Sequence, residues 1–214
     1  MGYTLSVKVV SFDCYGTLVD WILGLGRVLE YIFKDSKIIN EFFKCEWLKV
    51  AKMTKYRPYS EVLKECLKHL MISRGLKYSE DLGDALVISF AKSPPYPDVI
   101  PTLKAIKRLG LRTIILSNTE RRLIRITIAG MENLIDHVLT AEDIGLYKPS
   151  KDVFLRMLSE LNVSPEQVLH ISAYPQYDLI PAKSVSMKTL MVRRFKYSWS
   201  PSVEDLTMLV NYVK

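Results

Sequence analysis

The stretch VKVVSFDCYGTLVD, residues 7–20, decides the fold of this chain. Its first half, Val7 to Phe12, is a short run rich in β-branched residues that ends at Asp13, and the turn-former Gly16 follows. A compact apolar run bounded by a glycine turn is typical of a buried strand in a parallel sheet. The stretch therefore predicts a first strand that delivers Asp13, and then Thr17, to one edge of a sheet.

Strand and helix patterns alternate through the second half of the chain. Predicted strands cover residues 111–116, 137–140, 168–172 and 188–192, and predicted helices cover 99–109, 121–128, 151–161, 179–185 and 203–213. This spacing favours right-handed βαβ units. The sequence thus predicts an α/β fold with a doubly wound, Rossmann-like parallel sheet.

Residues 21–93 carry a different pattern. Apolar residues recur at helical spacing over 22–33, 38–53, 60–73 and 79–91, with no intervening strand signal. The pattern ends at the breaker PPYP, residues 94–97. We therefore expect a core domain formed by residues 1–20 and 94–214, interrupted by an all-helical cap domain at 21–93.

Composition narrows the function classes. Of the 214 residues, 49% are hydrophobic and 25% are charged, which is typical of a soluble globular protein. The sequence shows neither an apolar stretch of membrane-spanning length nor a secretory leader. The net charge of +7 is spread along the chain without a nucleic-acid motif. We expect a cytoplasmic protein, a small anionic substrate, and neither nucleic acid nor membrane as a partner; a homodimer is left open.

The chain has three cysteines, Cys14, Cys45 and Cys66. They show no CxxC or Cys/His spacing, and an odd number without a secretory signal is typical of reduced thiols. The sequence therefore predicts neither a disulfide framework nor a zinc site.

Polar side chains follow several predicted strands at the point where each strand ends. Ligands of open parallel sheets bind beyond these carboxyl ends. The candidate catalytic residues found in this way are Asp13, Thr17, Ser117, Asn118, Lys148 and Asp178, with Ser172 as a substrate-binding candidate. A carboxylate can attack a substrate, hydroxyl and amide groups can bind an anion, and a lysine can hold the nucleophile ionised.

Each residue also has a purely structural interpretation. Asp13, Asn118 and Asp178 are typical caps of turns and helices, and Lys148 is typical of a solvated surface. Their joint placement at successive strand ends favours a catalytic site over these separate explanations.

Four segments resemble the motifs of the haloacid dehalogenase superfamily: FDCYGTLVD (12–20), LSN (116–118), GLYKPS (145–150) and HISAYPQYD (170–178). The helical insertion resembles the four-helix cap of the subgroup that includes the 2-haloacid dehalogenases. The resemblance implies that Asp13 forms a covalent ester, which water later hydrolyses. It also implies that Thr17, Ser117 and Asn118 orient the substrate or nucleophile, that Lys148 pairs with the carboxylates, and that Trp21 helps to shape the substrate pocket.

Tyr15 separates two activities within this superfamily. The phosphatases carry an aspartate two residues after the nucleophile, because a leaving alcohol needs a general acid. A halide needs no proton, so Tyr15 favours a 2-haloacid dehalogenase that uses no cofactor and binds substrate near Tyr15. The structural interpretation of Tyr15 is a packing aromatic between cap and core.

Other positions depart from the dehalogenase pattern. Residues 39–41 (Ile, Asn, Glu) stand where the family has a halide-binding arginine, Phe154 replaces a tyrosine, and Ser172–Ala173–Tyr174 replaces Ser-Ser-Asn. Two alternatives therefore stay open. One is a phosphatase in which Asp13 and Asp178 hold Mg²⁺, and the other is a non-catalytic binding protein on the same fold.

Overall fold

The computed structural model describes residues 7–213 and is built around a six-stranded parallel β-sheet. The strands are β1 (Val9–Phe12), β2 (Arg112–Ser117), β3 (His137–Thr140), β4 (Val168–Ser172), β5 (Lys188–Val192) and β6 (Ser202–Val203). Their order is β3-β2-β1-β4-β5-β6, so the chain winds outward on one side of β1 and then builds the other side. The predicted doubly wound α/β fold is confirmed. Residues 1–6 of the predicted core segment lie outside the described residues.

The helices fall into two groups. Those between β1 and β2 are α1 (Arg27–Phe33), α2 (Ile38–Val50), α3 (Tyr59–Ser73), α4 (Glu80–Ala91) and α5 (Val99–Arg108). Those among the later strands are α6 (Arg121–Thr127), α7 (Ala141–Ile144), α8 (Lys151–Leu161) and α9 (Ile180–Ser184). Short π-helical turns occupy Ile22–Gly26 and Pro175–Leu179, and 3-10 turns occupy Glu132–Leu134, Pro165–Gln167 and Leu206–Tyr212. No helix within residues 7–213 is long and apolar enough to cross a membrane.

β1 lies at the centre of the sheet and is buried on both faces. Successive residues of a strand point to opposite sides. Val10 and Phe12 join an apolar cluster that includes α5 and the helices of residues 21–93, whereas Val9 joins a second cluster that includes α8. Because both faces are covered, every residue of β1 is apolar or hydrogen-bonded, and the polar chemistry begins only where the strand ends.

The cysteine prediction is wrong for two of the three residues. Cys45 on α2 and Cys66 on α3 form a disulfide, with their Cα atoms 5.9 Å apart, and Cys14 is a free, buried thiol. α2 packs against α3, which brings two positions 21 residues apart in the chain into bonding range. Cysteine number and spacing carry no information about which helix faces meet.

The predicted closing helix at residues 203–213 is also wrong. Val203 instead pairs with Val192 at the edge of the sheet, and a 3-10 turn follows. The backbone N–H of Leu206 donates to Asp98 at 2.8 Å, and the side chain of Asp205 accepts from the Thr207 N–H at 2.7 Å. These bonds to the Asp98 and Asp205 side chains satisfy backbone N–H groups in the first turn of the segment. In an α-helix that starts at residue 203, the same N–H groups would need other partners.

Candidate active site

The loop after β1 fixes the orientation of Asp13. Gly16 has a φ of +86°, and a Cβ atom added there would lie 2.1 Å from the hydroxyl oxygen of Tyr174. Only glycine meets both demands. The tight turn returns Thr17 to Asp13, so that the Thr17 hydroxyl donates to Asp13 Oδ2 at 2.6 Å, while the N–H of Ala173 donates to the same hydroxyl at 3.0 Å. Asp13 is thereby held in one rotamer.

Lys148 lies between two carboxylates at the end of the sheet. Its Nζ donates to Asp13 Oδ1 at 2.9 Å, to Asp178 Oδ1 at 2.6 Å and to the carbonyl of Leu116 at 2.9 Å. The side chain is only 1% exposed. All three ammonium protons are therefore used, which is the condition under which a buried lysine is tolerated.

The pKa values of the two carboxyl groups that share Lys148 are shifted in opposite directions. Burial pushes the pKa of Asp178 upward, but the Lys148 charge and the His170 hydrogen bond outweigh it and leave the pKa below its usual value. For Asp13 burial is the larger effect, so its pKa is raised despite Lys148. Burial lowers the pKa of Lys148, but the two carboxylates raise it overall. Asp178 is thus the permanent counter-ion, and Asp13 is the more basic carboxylate and the better nucleophile once ionised.

Asn118 positions Lys148 through the backbone. Its amide donates to the Lys148 carbonyl at 2.9 Å, and its side-chain oxygen accepts the Lys148 N–H at 2.8 Å. Ser117 differs, because its buried hydroxyl has no hydrogen-bond partner among the described residues and it lines the neighbouring cavity. A buried hydroxyl without a partner is free to bind a polar group of a ligand.

Ser172 lies behind Asp178 and is absent from the residues that line the cavity. Its hydroxyl donates to Asp178 Oδ2 at 2.9 Å and accepts the N–H of Tyr174 at 3.0 Å. The structure therefore places Ser172 as a support for Asp178, where the sequence predicts contact with substrate.

A cavity lies between residues 21–93, which we call the cap, and the edge of the sheet. It is lined by Asp13, Tyr15, Trp21, Leu25, Phe42, Phe43, Glu46, Tyr59, Leu63, Phe90, Ser117, Asn118, Lys148, Tyr174, Tyr177 and Asp178. Its volume is about 60 Å³. Since one water needs about 10–15 Å³ of such space, the cavity suits a molecule of a few heavy atoms.

Tyr15 and Trp21 contribute ring surface to this cavity. The ring of Tyr15 stacks on Phe90 of α4 with centroids 3.8 Å apart, and its hydroxyl is hydrogen-bonded to Thr127 on α6. The indole N–H of Trp21 donates to the Tyr174 hydroxyl at 2.7 Å. The polar atoms of both residues are committed to protein partners, so Tyr15 is not placed to protonate a leaving group.

His170 is a site residue that sequence reasoning missed. It pairs with Ser11 across β1 and β4, and its Nδ1 lies 2.7 Å from the Ser11 hydroxyl. Its Nε2 lies 3.0 Å from Asp178 Oδ1. His170 is fully buried and extends the Lys148–Asp178 network into the sheet, and no sequence spacing reveals that register.

Glu46 was also missed, although α2 carries a signal. The buried positions of α2 are Ile38, Phe42, Glu46 and Val50, which recur every four residues. An acidic residue on an otherwise apolar helix face marks a buried carboxyl group, and such groups are rare unless they are paired.

The donor set at Asp13 and Asp178 does not fit a resident Mg²⁺ ion. The Lys148 ammonium lies where a cation bridging the two carboxylates would bind, and both oxygens of Asp178 already accept hydrogen bonds. Within residues 7–213 no group of three or more His, Cys, Asp or Glu side chains could hold a metal. Mg²⁺ usually takes carboxylate oxygens that are open to it and to its waters.

Comparison with known proteins identifies the family. A family model described as haloacid dehalogenase-like hydrolase matches residues 7–185, a span that contains the whole Asp13–Lys148–Asp178 network. The chain belongs to the haloacid dehalogenase-like hydrolases. The resemblance inferred from the four motifs is thereby confirmed, as is the prediction of a hydrolase.

Individual haloacid dehalogenase-like proteins resemble the chain over most of its length. It is 25% identical to (S)-2-haloacid dehalogenase 1 of Pseudomonas sp. (strain CBS-3), over 95% of this chain and 93% of that protein. It is 30% identical to a glyceraldehyde 3-phosphate phosphatase of Methanopyrus kandleri, over 66% of this chain and 67% of that protein. A crystal structure of a dehalogenase superposes with a TM-score of 0.88 at 22% identity, covering 98% of both chains, and this likeness shows the fold.

Proposed function

We propose that the protein is a 2-haloacid dehalogenase that acts on a small anionic substrate without a metal. The observation that carries the proposal is the buried Asp13–Lys148–Asp178 network at the floor of a small, largely aromatic cavity. A carboxylate can act as the nucleophile in a displacement at carbon, and a neighbouring lysine can pair with its charge. The relatives whose printed names are (S)-2-haloacid dehalogenase support the same substrate class.

The proposed reaction has two displacements. Asp13 attacks the carbon that bears the halogen, and the halide leaves with the bonding electrons. The substrate carboxylate binds at the free hydroxyl of Ser117, and the Lys148 ammonium pairs with the Asp13 carboxylate that attacks. Water then attacks the carbonyl carbon of the Asp13 ester, which releases a 2-hydroxy acid and restores the carboxylate.

The cap has a role in this proposal as a lid. Residues 21–93 supply the wall opposite Asp13, and hydrogen bonds join the cap to the core at several points, such as Tyr147 to the Arg57 carbonyl at 2.8 Å. Opening of the cap would admit substrate to this small cavity, and its closure would exclude bulk water.

The decisive experiment uses single turnover in H₂¹⁸O. The protein, in excess over L-2-chloropropionate, is digested and analysed by mass spectrometry. We expect label in the peptide that contains Asp13 and chloride release that is insensitive to EDTA. Asp13→Asn should abolish turnover, and Asp152→Asn, on the exposed face of α8, should not. Label that appears directly in the product would refute the mechanism.

A phosphatase is the second candidate, favoured by the glyceraldehyde 3-phosphate phosphatase relatives. It would release phosphate from p-nitrophenyl phosphate in a reaction that Mg²⁺ supports and EDTA abolishes. The Lys148 ammonium between the Asp13 and Asp178 carboxylates argues against this outcome, because it occupies the place of a bridging Mg²⁺. If neither haloacids nor phosphate esters are turned over, the third candidate, a non-catalytic binding protein, would be favoured.

The setting of the enzyme is also part of the proposal: a cytoplasmic location, no nucleic-acid partner, and a homodimer as the assembly to test. Disulfides are rare in most cytosols but occur in intracellular proteins of hyperthermophiles, so the Cys45–Cys66 bond fits such a host. Light scattering on the purified protein measures the assembly, and cell fractionation measures the location.

A further inference from the structure

The cap side of the cavity is apolar except at one place. The cap contributes seven aromatic or aliphatic side chains and one carboxyl group, that of Glu46 on α2; the seven are Trp21, Leu25, Phe42, Phe43, Tyr59, Leu63 and Phe90. Glu46 is only 6% exposed. Burying a carboxyl group among apolar side chains costs free energy. A role in the chemistry of the cavity would explain why Glu46 is found there.

Two tyrosine hydroxyls hold Glu46 in place. Tyr59 of α3 donates to Oε1 at 3.1 Å, and Tyr177 of the π-helical turn after β4 donates to Oε2. Burial raises the pKa of Glu46 to about 7, with a further upward contribution from the Asp13 charge, against the lowering effect of the two hydroxyls. Because both tyrosine hydroxyls already donate to Glu46, the acid proton of the neutral form needs a further acceptor, and a ligand in the cavity that Glu46 lines can supply it.

The direction of the reaction places the leaving atom on this side. In a displacement at saturated carbon, the bond to the leaving group lies opposite the attacking oxygen. Asp13 attacks from the floor of the cavity, so the halide departs toward the cap. Among the described residues that line the cavity, Lys148 is the single cation, and its protons already bind Asp13, Asp178 and the Leu116 carbonyl.

A departing anion therefore meets Glu46. An ionised carboxylate would repel it, whereas a neutral carboxyl group can donate a hydrogen bond to it. We propose that neutral Glu46 is a catalytic residue that donates this hydrogen bond to the departing halide, and that it makes fluoride a competent leaving group. This inference rests on the proposed dehalogenase function and specifies the leaving group.

Displacement of fluoride exchanges one bond of the substrate carbon for another. Asp13 forms a C–O bond to the substrate carbon as the C–F bond breaks, and fluoride keeps the bonding electrons. Hydrogen fluoride is a stronger acid than a carboxyl group with a raised pKa, so the proton stays on Glu46 and stabilises fluoride as a hydrogen bond. Hydrolysis of the ester by water releases one proton to solvent. Fluoride gains most because it is the strongest hydrogen-bond acceptor among the halides.

The competing explanation is a purely structural one. Glu46 links α2 to α3 and to the core, so it could serve only to hold the cap closed. A loosened cap would slow every substrate by a similar factor, whereas a lost donor would slow fluoride release far more than bromide release. The ratio of the two rates separates the explanations.

The test measures kcat/KM for fluoroacetate and bromoacetate. Glu46→Met roughly keeps the size of the side chain but can neither donate a hydrogen bond to a halide nor titrate. Glu120→Met is the control, since Glu120 also joins cap to core, by accepting the Ser60 N–H at 3.2 Å and its hydroxyl at 2.9 Å, but lies outside the cavity lining. Since removal of a positioned hydrogen-bond donor typically costs about 10²- to 10³-fold, we expect Glu46→Met to lower fluoride release at least about 100-fold more than bromide release. Glu120→Met should leave the ratio unchanged.

A pH profile of the wild-type protein gives the same test without a variant. Tyr59 and Tyr177 contact Glu46, and Asp13, Lys148 and Asp178 share the cavity with it. Titration of Asp13 affects both substrates equally, so the fluoride-to-bromide ratio isolates Glu46. The ratio should fall above about pH 7, as the neutral acid is lost.

Three results would overturn the inference: an equal loss of both activities in Glu46→Met, a ratio independent of pH, or a wild-type protein that releases bromide but no fluoride. Release of no halide from any haloacid, with no label at Asp13, would instead refute the proposed function and the inference with it.

Discussion

The buried carboxyl group of Glu46 makes a prediction about folding that does not depend on activity. Burial raises its pKa from 4.5 to about 7, so the folded protein binds one more proton than the unfolded chain between these two pH values. Stability therefore falls as pH rises through this window. Replacing Glu46 with glutamine, which does not titrate, removes this loss.

The magnitude follows from the size of the shift. A change from 4.5 to about 7 corresponds to about 3 kcal/mol, at about 1.4 kcal/mol per pKa unit. Because Glu46 is almost fully buried, solvent screening does not reduce this figure much. At about pH 5 the two proteins should differ little in the part due to ionisation, and at about pH 8 Glu46→Gln should have gained about 2–3 kcal/mol relative to wild type.

Urea unfolding at the two pH values, followed by tryptophan fluorescence, measures the effect. The quantity of interest is the change in the free-energy difference between the variants, which cancels titrations common to both. A difference that is the same at both pH values would show that Glu46 ionises freely in the folded protein. That result would also remove the neutral acid on which the leaving-group assignment depends.

Three further predictions concern the core network and the cap disulfide. Lys148→Met should abolish turnover and lower the free energy of unfolding by about 3–5 kcal/mol, because it leaves Asp13 and Asp178 buried without their shared cation. Steady-state kinetics measures the turnover and urea unfolding measures the stability. A stable, active variant would contradict the proposed site. His170→Gln should lower kcat about 10- to 100-fold with little change in KM, since the substitution weakens a hydrogen bond to the Asp178 charge and His170 does not line the cavity. A change in KM alone would contradict a positioning role for His170. Reduction of the Cys45–Cys66 bond, which closes a loop of 21 residues, should lower the free energy of unfolding by about 3 kcal/mol on the chain-entropy model. Urea unfolding with and without dithiothreitol measures this change. The control is Cys45→Ser, whose stability should not respond to the reductant.

Local pattern predicted much of the sheet and its polar edge. The bounds of β3, β4, β5 and α8 agree with the segments predicted from apolar periodicity, because short buried runs between turn residues allow few alternatives. The order of strands and helices then places the ends of β1, β2 and β4, together with the loop before α8, at one edge. For this reason Asp13, Ser117, Lys148 and Asp178 could be proposed together from the sequence, and all four line the same cavity.

Contacts between distant segments could not be read in the same way. The pairing of His170 with Ser11 depends on the register of β1 against β4, and the Glu46–Tyr177 hydrogen bond joins residues 131 positions apart in the chain. The Cys45–Cys66 bond depends on which faces of α2 and α3 meet. Each of these depends on how finished elements pack, which hydrophobic period alone does not specify.

The sequence by itself determined the doubly wound fold and predicted Asp13 and Lys148 as site residues, because these follow from where strands begin and end. Only the tertiary structure decided what surrounds them. It set the Tyr15 hydroxyl against Thr127, placed Ser172 behind Asp178 and brought the Glu46 carboxyl group into the cavity that Asp13 also lines. The physical reason is that side-chain partners are chosen when the cap packs on the core, where burial forces every polar group to find a partner or a ligand.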